Sequence, residues 1–233
     1  MVHDDTGALV AVAVDGPSGS GKSSTARGVA QRLGWNYVDT GAMYRALTWW
    51  LINEGVDVTD IDVVTKRVLE PLLETSVDPS FPGVFVNGQE VSDEIRDPHV
   101  TSSVSAVSAV PAVRERLVSV QREIMERGAV VVEGRDIGTV VAPDAAVKVY
   151  LVATTEARAQ RRAAEWAHDH GVTVEHTAAM LDHRDHLDST RELSPLSQAD
   201  DAVMIDSTSL TLEQVIDQVV ALVHERVPSF ATS

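Results

Sequence analysis

Residues 9–24 read LVAVAVDGPSGSGKSS, and this stretch decides the fold. Leu9 to Val14 is an apolar run, rich in valine and too short to prefer a helix, so it predicts a strand buried on both faces, as in a parallel sheet. Gly16-Pro17-Ser18-Gly19-Ser20-Gly21-Lys22-Ser23 then fits the pattern G-x-x-x-x-G-K-[ST], with Ser24 extending it. Beyond it Ala26, Val29, Ala30 and Leu33 fall on one face of a predicted helix that Gly34 can cap. A glycine-rich turn could contain a lysine without function, but a buried strand before it and a helix after it are the context of a phosphate-binding loop. The glycines let backbone amides point inward and the helix N-terminus adds positive potential. Lys22 is placed to reach the β- and γ-phosphates of ATP, and Ser23 to serve its Mg²⁺.

Outward from this loop the chain alternates. Further buried strands are predicted at Asn36–Val38, Ala129–Glu133, Val147–Val152 and Ala202–Asp206, with helical stretches between most of them. The expected class is α/β, a doubly wound five-stranded parallel sheet. The last helix should open on a capping box, Thr211 with Gln214, and bury a stripe of Leu212, Val215, Ile216, Val219, Val220 and Val223. Two stretches interrupt the alternation. DPSFPGVFVNGQEVSDE, from Asp78 to Glu94, carries Asn87-Gly88 between Val84–Val86 and Glu90–Val91, which predicts a small antiparallel hairpin. From Thr154 to about Ala199 the chain turns polar and charged, the composition of a lid over a site. The reading is one domain over 1–233, with an insert at about 60–105 and a helical lid at about 154–190.

Composition narrows the partners. Against 19 basic residues stand 35 acidic ones, a formal charge of −16, so the global field repels nucleic-acid polymers and anionic membranes. An anionic ligand would therefore need a local basic cluster. No cysteine is present, which excludes disulfides and thiolate metal sites. MVHDDTGALV has no basic n-region, and no apolar run approaches a membrane span of about 20 residues, so a soluble cytoplasmic protein is expected, as a monomer.

A phosphate loop alone does not choose a reaction, so the acceptor side must be read. Asp39-Thr40-Gly41-Ala42-Met43-Tyr44-Arg45 follows the short second strand and opens a helix, with Thr40 near the N-cap and Arg45 one and a half turns in. A helix N-terminus with an arginine suits a monophosphate, though a capped helix with an exposed arginine looks the same in sequence. Glu133-Gly134-Arg135-Asp136 ends another strand, where doubly wound sheets bind ligands; Arg135 and Asp136 could also form a structural ion pair. Arg158, Arg161 and Arg162, then Arg184, Asp185, Asp188 and Arg191, gather in the polar segment. Arg158 and Arg162 are four apart and share a helix face. Arginines closing over a Lys–Mg²⁺ site are the machinery of phosphoryl transfer, which needs positioning and charge neutralisation rather than a general base. Arg158 and Arg162, with Lys22, are the catalytic candidates. No Asn-Lys-x-Asp string follows a later strand, which argues against a regulatory GTPase. A kinase for another small acceptor, or a nucleotide-binding scaffold, would share the loop but not the rest.

GPSGSGKSS, DTGAMYR, VNGQEVSDEIR, VSAVSAVPAVRERL, EGRDIGTVVAPDA, RDHLDSTRELSPL and the closing IDST succeed one another as in the bacterial cytidylate kinases, which the chain resembles over essentially its whole length. The resemblance implies transfer of the γ-phosphoryl of ATP to CMP or dCMP, with Mg²⁺ accompanying ATP. It implies that Ser105, Arg114 and Asp136 read the cytosine edge, that Arg184 and Asp188 hold the sugar hydroxyls, and that Arg45, Arg135 and Arg191 grip the acceptor phosphate beside Thr40. Cytosine's amino donor and ring acceptors match a carboxylate, a hydroxyl and an arginine. Glu133 ends the third strand, and Mg²⁺ could meet it directly or through water.

Overall fold

The computed structural model describes residues 9–165 and 173–228. Five parallel strands form the main sheet in the order β2-β6-β1-β7-β8: β1 Leu9–Asp15, β2 Asn36–Asp39, β6 Val130–Glu133, β7 Ala145–Val152 and β8 Val203–Asp206. β1 lies at the centre, with Val12 opposite Val131 on one side and Val147 on the other. Its alternation divides two cores. Leu9, Ala11 and Ala13 face α2 (Thr40–Asn53), α4 (Pro98–Ala109) and α5 (Pro111–Met125), while Val10, Val12 and Val14 face α1 (Lys22–Leu33) and α8 (Leu212–Arg226). Every residue of β1 is buried, which is why its sequence shows no polar alternation.

The helices end where local chemistry predicts. Gly34 caps α1, its N–H reaching the carbonyls of Ala30 and Gln31. Thr211 and Gln214 exchange both bonds of the capping box on α8, at 2.9 and 3.2 Å. Leu212 leaves the predicted stripe: at the first turn it remains 45% exposed, and the buried face begins at Val215. Strand ends shift by a residue or two from expectation, and β7 begins earlier, at Ala145.

The insert is a three-stranded antiparallel sheet. β4 (Val84–Val86) and β5 (Gln89–Glu90) flank Asn87 and Gly88, whose φ values of 52° and 80° make the two-residue turn expected of Asn-Gly. β3 (Leu73–Thr75), which the sequence did not signal, pairs with β4 through Leu73 opposite Val86. α3 (Ile61–Arg67) precedes it. After β7 come α6 (Thr155–Glu165) and α7 (Val174–Thr190), the helices of the predicted lid; Arg191 lies just beyond the end of α7. None of the described helices is long and apolar enough to cross a membrane.

Candidate active site

The carboxyl ends of β1, β2 and β6 open into a cleft of about 720 Å³. Nine of the chain's 19 basic residues line it, against four acidic ones, so the neighbourhood is positive inside a strongly negative molecule. This is the local cluster that the composition demanded.

On the donor side the loop from Gly16 to Ser23 turns tightly against β7. A side chain at Gly16, with φ of 145°, would place its Cβ 2.1 Å from the carbonyl oxygen of Leu151, so only glycine fits. Ser18, Gly19, Lys22, Ser23 and Ser24 face the cleft, whereas Gly16, Pro17, Ser20 and Gly21 shape the loop from behind. Lys22 is buried and its Nζ donates to the carbonyl of Pro17 at 2.6 Å. Burial, and then the nearby Arg135, push the lysine well below its ordinary range. Ser23 Oγ donates to Glu133 Oε2 at 2.9 Å, and Tyr37 donates to Glu133 Oε1 at 2.5 Å. Burial and the neighbouring Asp39 push Glu133 up from the usual carboxylate range. A hydroxyl and a carboxylate side by side are hard oxygen ligands that fit Mg²⁺. Among the described residues no group of three or more His, Cys, Asp or Glu is placed to hold a metal ion.

The acceptor side differs in one detail from expectation. Asp39, not Thr40, caps α2, accepting from the amide of Ala42 at 2.8 Å, and it holds Arg45 at 3.1 Å. Thr40 is the first helical residue, and its hydroxyl donates to the Glu133 carbonyl at 2.7 Å, tying α2 to β6. A one-turn π-helix, Ile137–Val141, follows β6 and starts just after Arg135 and Asp136. Asp136 is buried between Arg114, which donates to it, and Arg191, 3.6 Å away. Burial raises the Asp136 carboxyl against the lowering effect of those two cations. Arg114 also lies over the ring of Tyr44, 5.7 Å from its centroid. The Arg135–Asp136 pairing considered from sequence is not what forms. Arg135 instead donates to Asp188 at 3.0 Å, and Ser105 donates to the other oxygen of Asp188 at 3.2 Å. Burial alone would raise Asp188, but Arg135 and Arg184 hold it below its ordinary value.

Arg184 lies under the same kind of electrostatic tension as Lys22. Burial and then Arg135 lower it to about 9, with Arg45 and Arg162 adding repulsion and Asp188 opposing, and its buried Nε has no hydrogen-bond partner. Four guanidiniums brought this close in a folded chain mark a site for an anion.

Arg158 departs from the sequence reading. It does not line the cleft; it is buried behind the loop, donating to the carbonyl of Ser18 at 2.9 Å and to Asp185. Asp185 in turn accepts from the amide of Ser18 at 2.9 Å, so both backbone polar groups of one loop residue are held, one from α6 and one from α7. Arg162, four residues on from Arg158, does line the cleft. The shared helix face therefore splits into an inner residue and an outer one. Arg161 braces the loop from another direction, donating to Ser207 Oγ at 3.0 Å and to the Ser207 carbonyl at 2.5 Å. Ser207 belongs to the IDST string, and its place after the last strand was the signal available in sequence. Tyr37 carried no such signal, and neither did the hold of Asp185 on Ser18, because Glu133 and Ser18 lie 96 and 167 positions away along the chain.

Comparison with known proteins agrees with this geometry. A family model described as cytidylate kinase matches residues 12–225. The chain belongs to the cytidylate kinase family. A cytidylate kinase of Streptomyces avermitilis is 51% identical over 220 residues, 93% of this chain and 94% of the relative. One from Rhodococcus opacus is 51% identical over 217 residues, 92% and 95% of the two chains. Among solved structures, an uncharacterized protein from Eubacterium ventriosum aligns at a TM-score of 0.52 and 14% identity, covering 94% of this chain and 99% of its own, a likeness of fold alone.

Proposed function

We propose that this cytidylate kinase family member transfers the γ-phosphoryl of ATP to CMP or dCMP within the cleft, with the residue roles that follow. The observation that carries the reading is the buried Asp136–Arg114 pair set about a polar pocket, one end of which holds the converging arginines and the other the phosphate loop. A carboxylate accepts from the cytosine amino group, while Arg114 and Ser105 donate to the ring acceptors. Asp188 and Arg184 meet the sugar hydroxyls. Arg45, Arg135 and Arg191 hold the acceptor phosphate beside Thr40.

In the reaction an oxygen of the CMP phosphate forms a bond to the γ-phosphorus of ATP as the bond to the β,γ-bridging oxygen breaks, leaving ADP and CDP. The attacking phosphate is already a dianion for the most part at neutral pH, so no proton need be removed and no general base is assigned. Lys22 and Arg162 stabilise charge on the transferring group, and the loop amides hold the β-phosphate. Mg²⁺, when bound with ATP, neutralises the β- and γ-oxygens. Ser23 and Glu133, directly or through water, would hold it. Arg158 is a positioning residue that seats the lid helices on Ser18.

The lid and acceptor arginines separate kinetically. Arg162→Ala should lower kcat at least tenfold with little change in either KM, the pattern of an interaction made mainly in the transition state. Arg191→Ala should instead raise the KM for CMP by tenfold or more and leave that for ATP nearly unchanged. Steady-state rates with ATP and CMP varied separately decide the matter. Small and equal effects, the size of a surface ion pair worth about 1 kcal/mol or less, would remove both residues from the mechanism.

A further inference from the structure

Asp15 ends the all-apolar strand β1 and immediately precedes the phosphate loop, yet its side chain does not turn toward that loop. The carboxylate is buried and spends both oxygens on the opposite side of the cleft, accepting from the amide of Ile137 at 2.8 Å and from that of Gly138 at 2.7 Å. These are the first two amides of the π-turn, which have no partner within the turn and would otherwise be buried orphans. The turn is thus capped by a residue 122 positions earlier in the chain. The same end carries the acceptor-side residues, since Asp136 directly precedes the capped amides and Arg135 comes before it.

Burying a carboxylate against two neutral amides is costly, and burial raises Asp15 to about 6 even though both amides pull it down. The groups around it are Asp136 on the turn, which raises it further, and Lys22 from the loop helix, which lowers it. From β7 the stem of Lys148 lies against Gly138, and Tyr150 feels the Asp15 charge. No ion pair repays the burial among the described residues. A neutral side chain could fill the space at lower cost, so what the acid supplies is two accepting oxygens at fixed spacing.

We propose that Asp15 is a positioning residue for nucleotide acceptor recognition: from the donor strand it fixes the π-turn so that Asp136 and Arg135 face the acceptor in one geometry. This rests on the proposed placement of CMP at Asp136. Asp15 touches no reacting atom. The loop amides that wrap ATP are set by Gly16–Ser23 and α1, not by the Asp15 oxygens, so the two substrates should respond differently to its loss.

The variant is Asp15→Asn, which keeps the size but offers one acceptor and opposes an NH₂ to the second amide. Calorimetric titration with CMP and, separately, with a non-hydrolysable ATP analogue should show CMP affinity falling tenfold or more while the analogue changes by less than about threefold. Equal losses for both nucleotides, or none, overturn the proposal. Should Asp15→Asn not fold, amide hydrogen exchange of the native protein tests the same link. Ile137 and Gly138 should exchange slowly and slow further with CMP, and exchange at the rate of an exposed loop overturns it. Native protein that fails to bind CMP at all would instead bring down the placement of CMP, a separate outcome.

Discussion

Replacing Lys22 with alanine is expected to cut turnover by about a hundredfold or more while leaving the protein folded. The lysine sits where α1 begins, and its Nζ lies against the loop's own Pro17 carbonyl, within reach of the region that the loop amides surround. A transferring phosphoryl needs its charge neutralised at fixed distance, and removing one such group costs about 2.7 kcal/mol or more of transition-state stabilisation. The fold should tolerate the change for a reason visible in the same residue. Burial disfavours the charged ammonium, so the folded state gains little from holding it. ADP release in a coupled assay, together with a thermal melt of the variant, checks both halves. Near-normal turnover in a folded Lys22→Ala protein would refute phosphotransfer at this loop.

Asp136→Asn is expected to shift acceptor choice from CMP toward UMP by a factor of about a hundred in the ratio of kcat/KM. The carboxylate accepts from an amino donor, and a hydrogen bond to a charged group contributes about 1.5–3 kcal/mol. Uracil presents a carbonyl where cytosine presents that amino group, so the aspartate meets it with like polarity, whereas the asparagine amide can turn its NH₂ toward it. The asparagine also keeps the volume between Arg114 and Arg191 filled, which matters because truncation to alanine would strip a buried guanidinium of its partner at a cost of about 3–5 kcal/mol. Kinetics with CMP and UMP at fixed ATP measure the ratio. An unchanged ratio would remove Asp136 from base recognition.

Much of this was legible in the sequence because it rests on local rules. The central strand and the loop are set by residues that follow one another, Leu9 to Ser24, and the capping box on α8 needs only Thr211 and Gln214. The Asn87-Gly88 turn is local in the same sense, but its third strand is not. Leu73–Thr75 has no pattern of its own and exists because β4 offers it an edge. The site divides in the same way. The arginines could be listed from composition, yet which of them faces the cleft depends on packing between distant elements. Arg158 and Arg162 share a helix face in sequence, and only the contact of α6 with Ser18 makes one a brace and leaves the other at the cleft. Asp15 looked like the end of a strand because its partners, Ile137 and Gly138, lie more than a hundred residues away.

A cleft that joins a phosphate-donor loop to a reader of cytosine should declare itself in the choice of acceptor. The most direct measurement is the rate of ADP formation by the native protein with ATP and Mg²⁺ across CMP, dCMP, UMP, AMP and GMP, with an acceptor-free control. CMP and dCMP should give the largest kcat/KM, the purine monophosphates should lie at least a hundredfold below, and the control should be negligible. Equal rates for AMP and CMP, or ADP release that does not depend on an acceptor, would contradict this reading of the cleft.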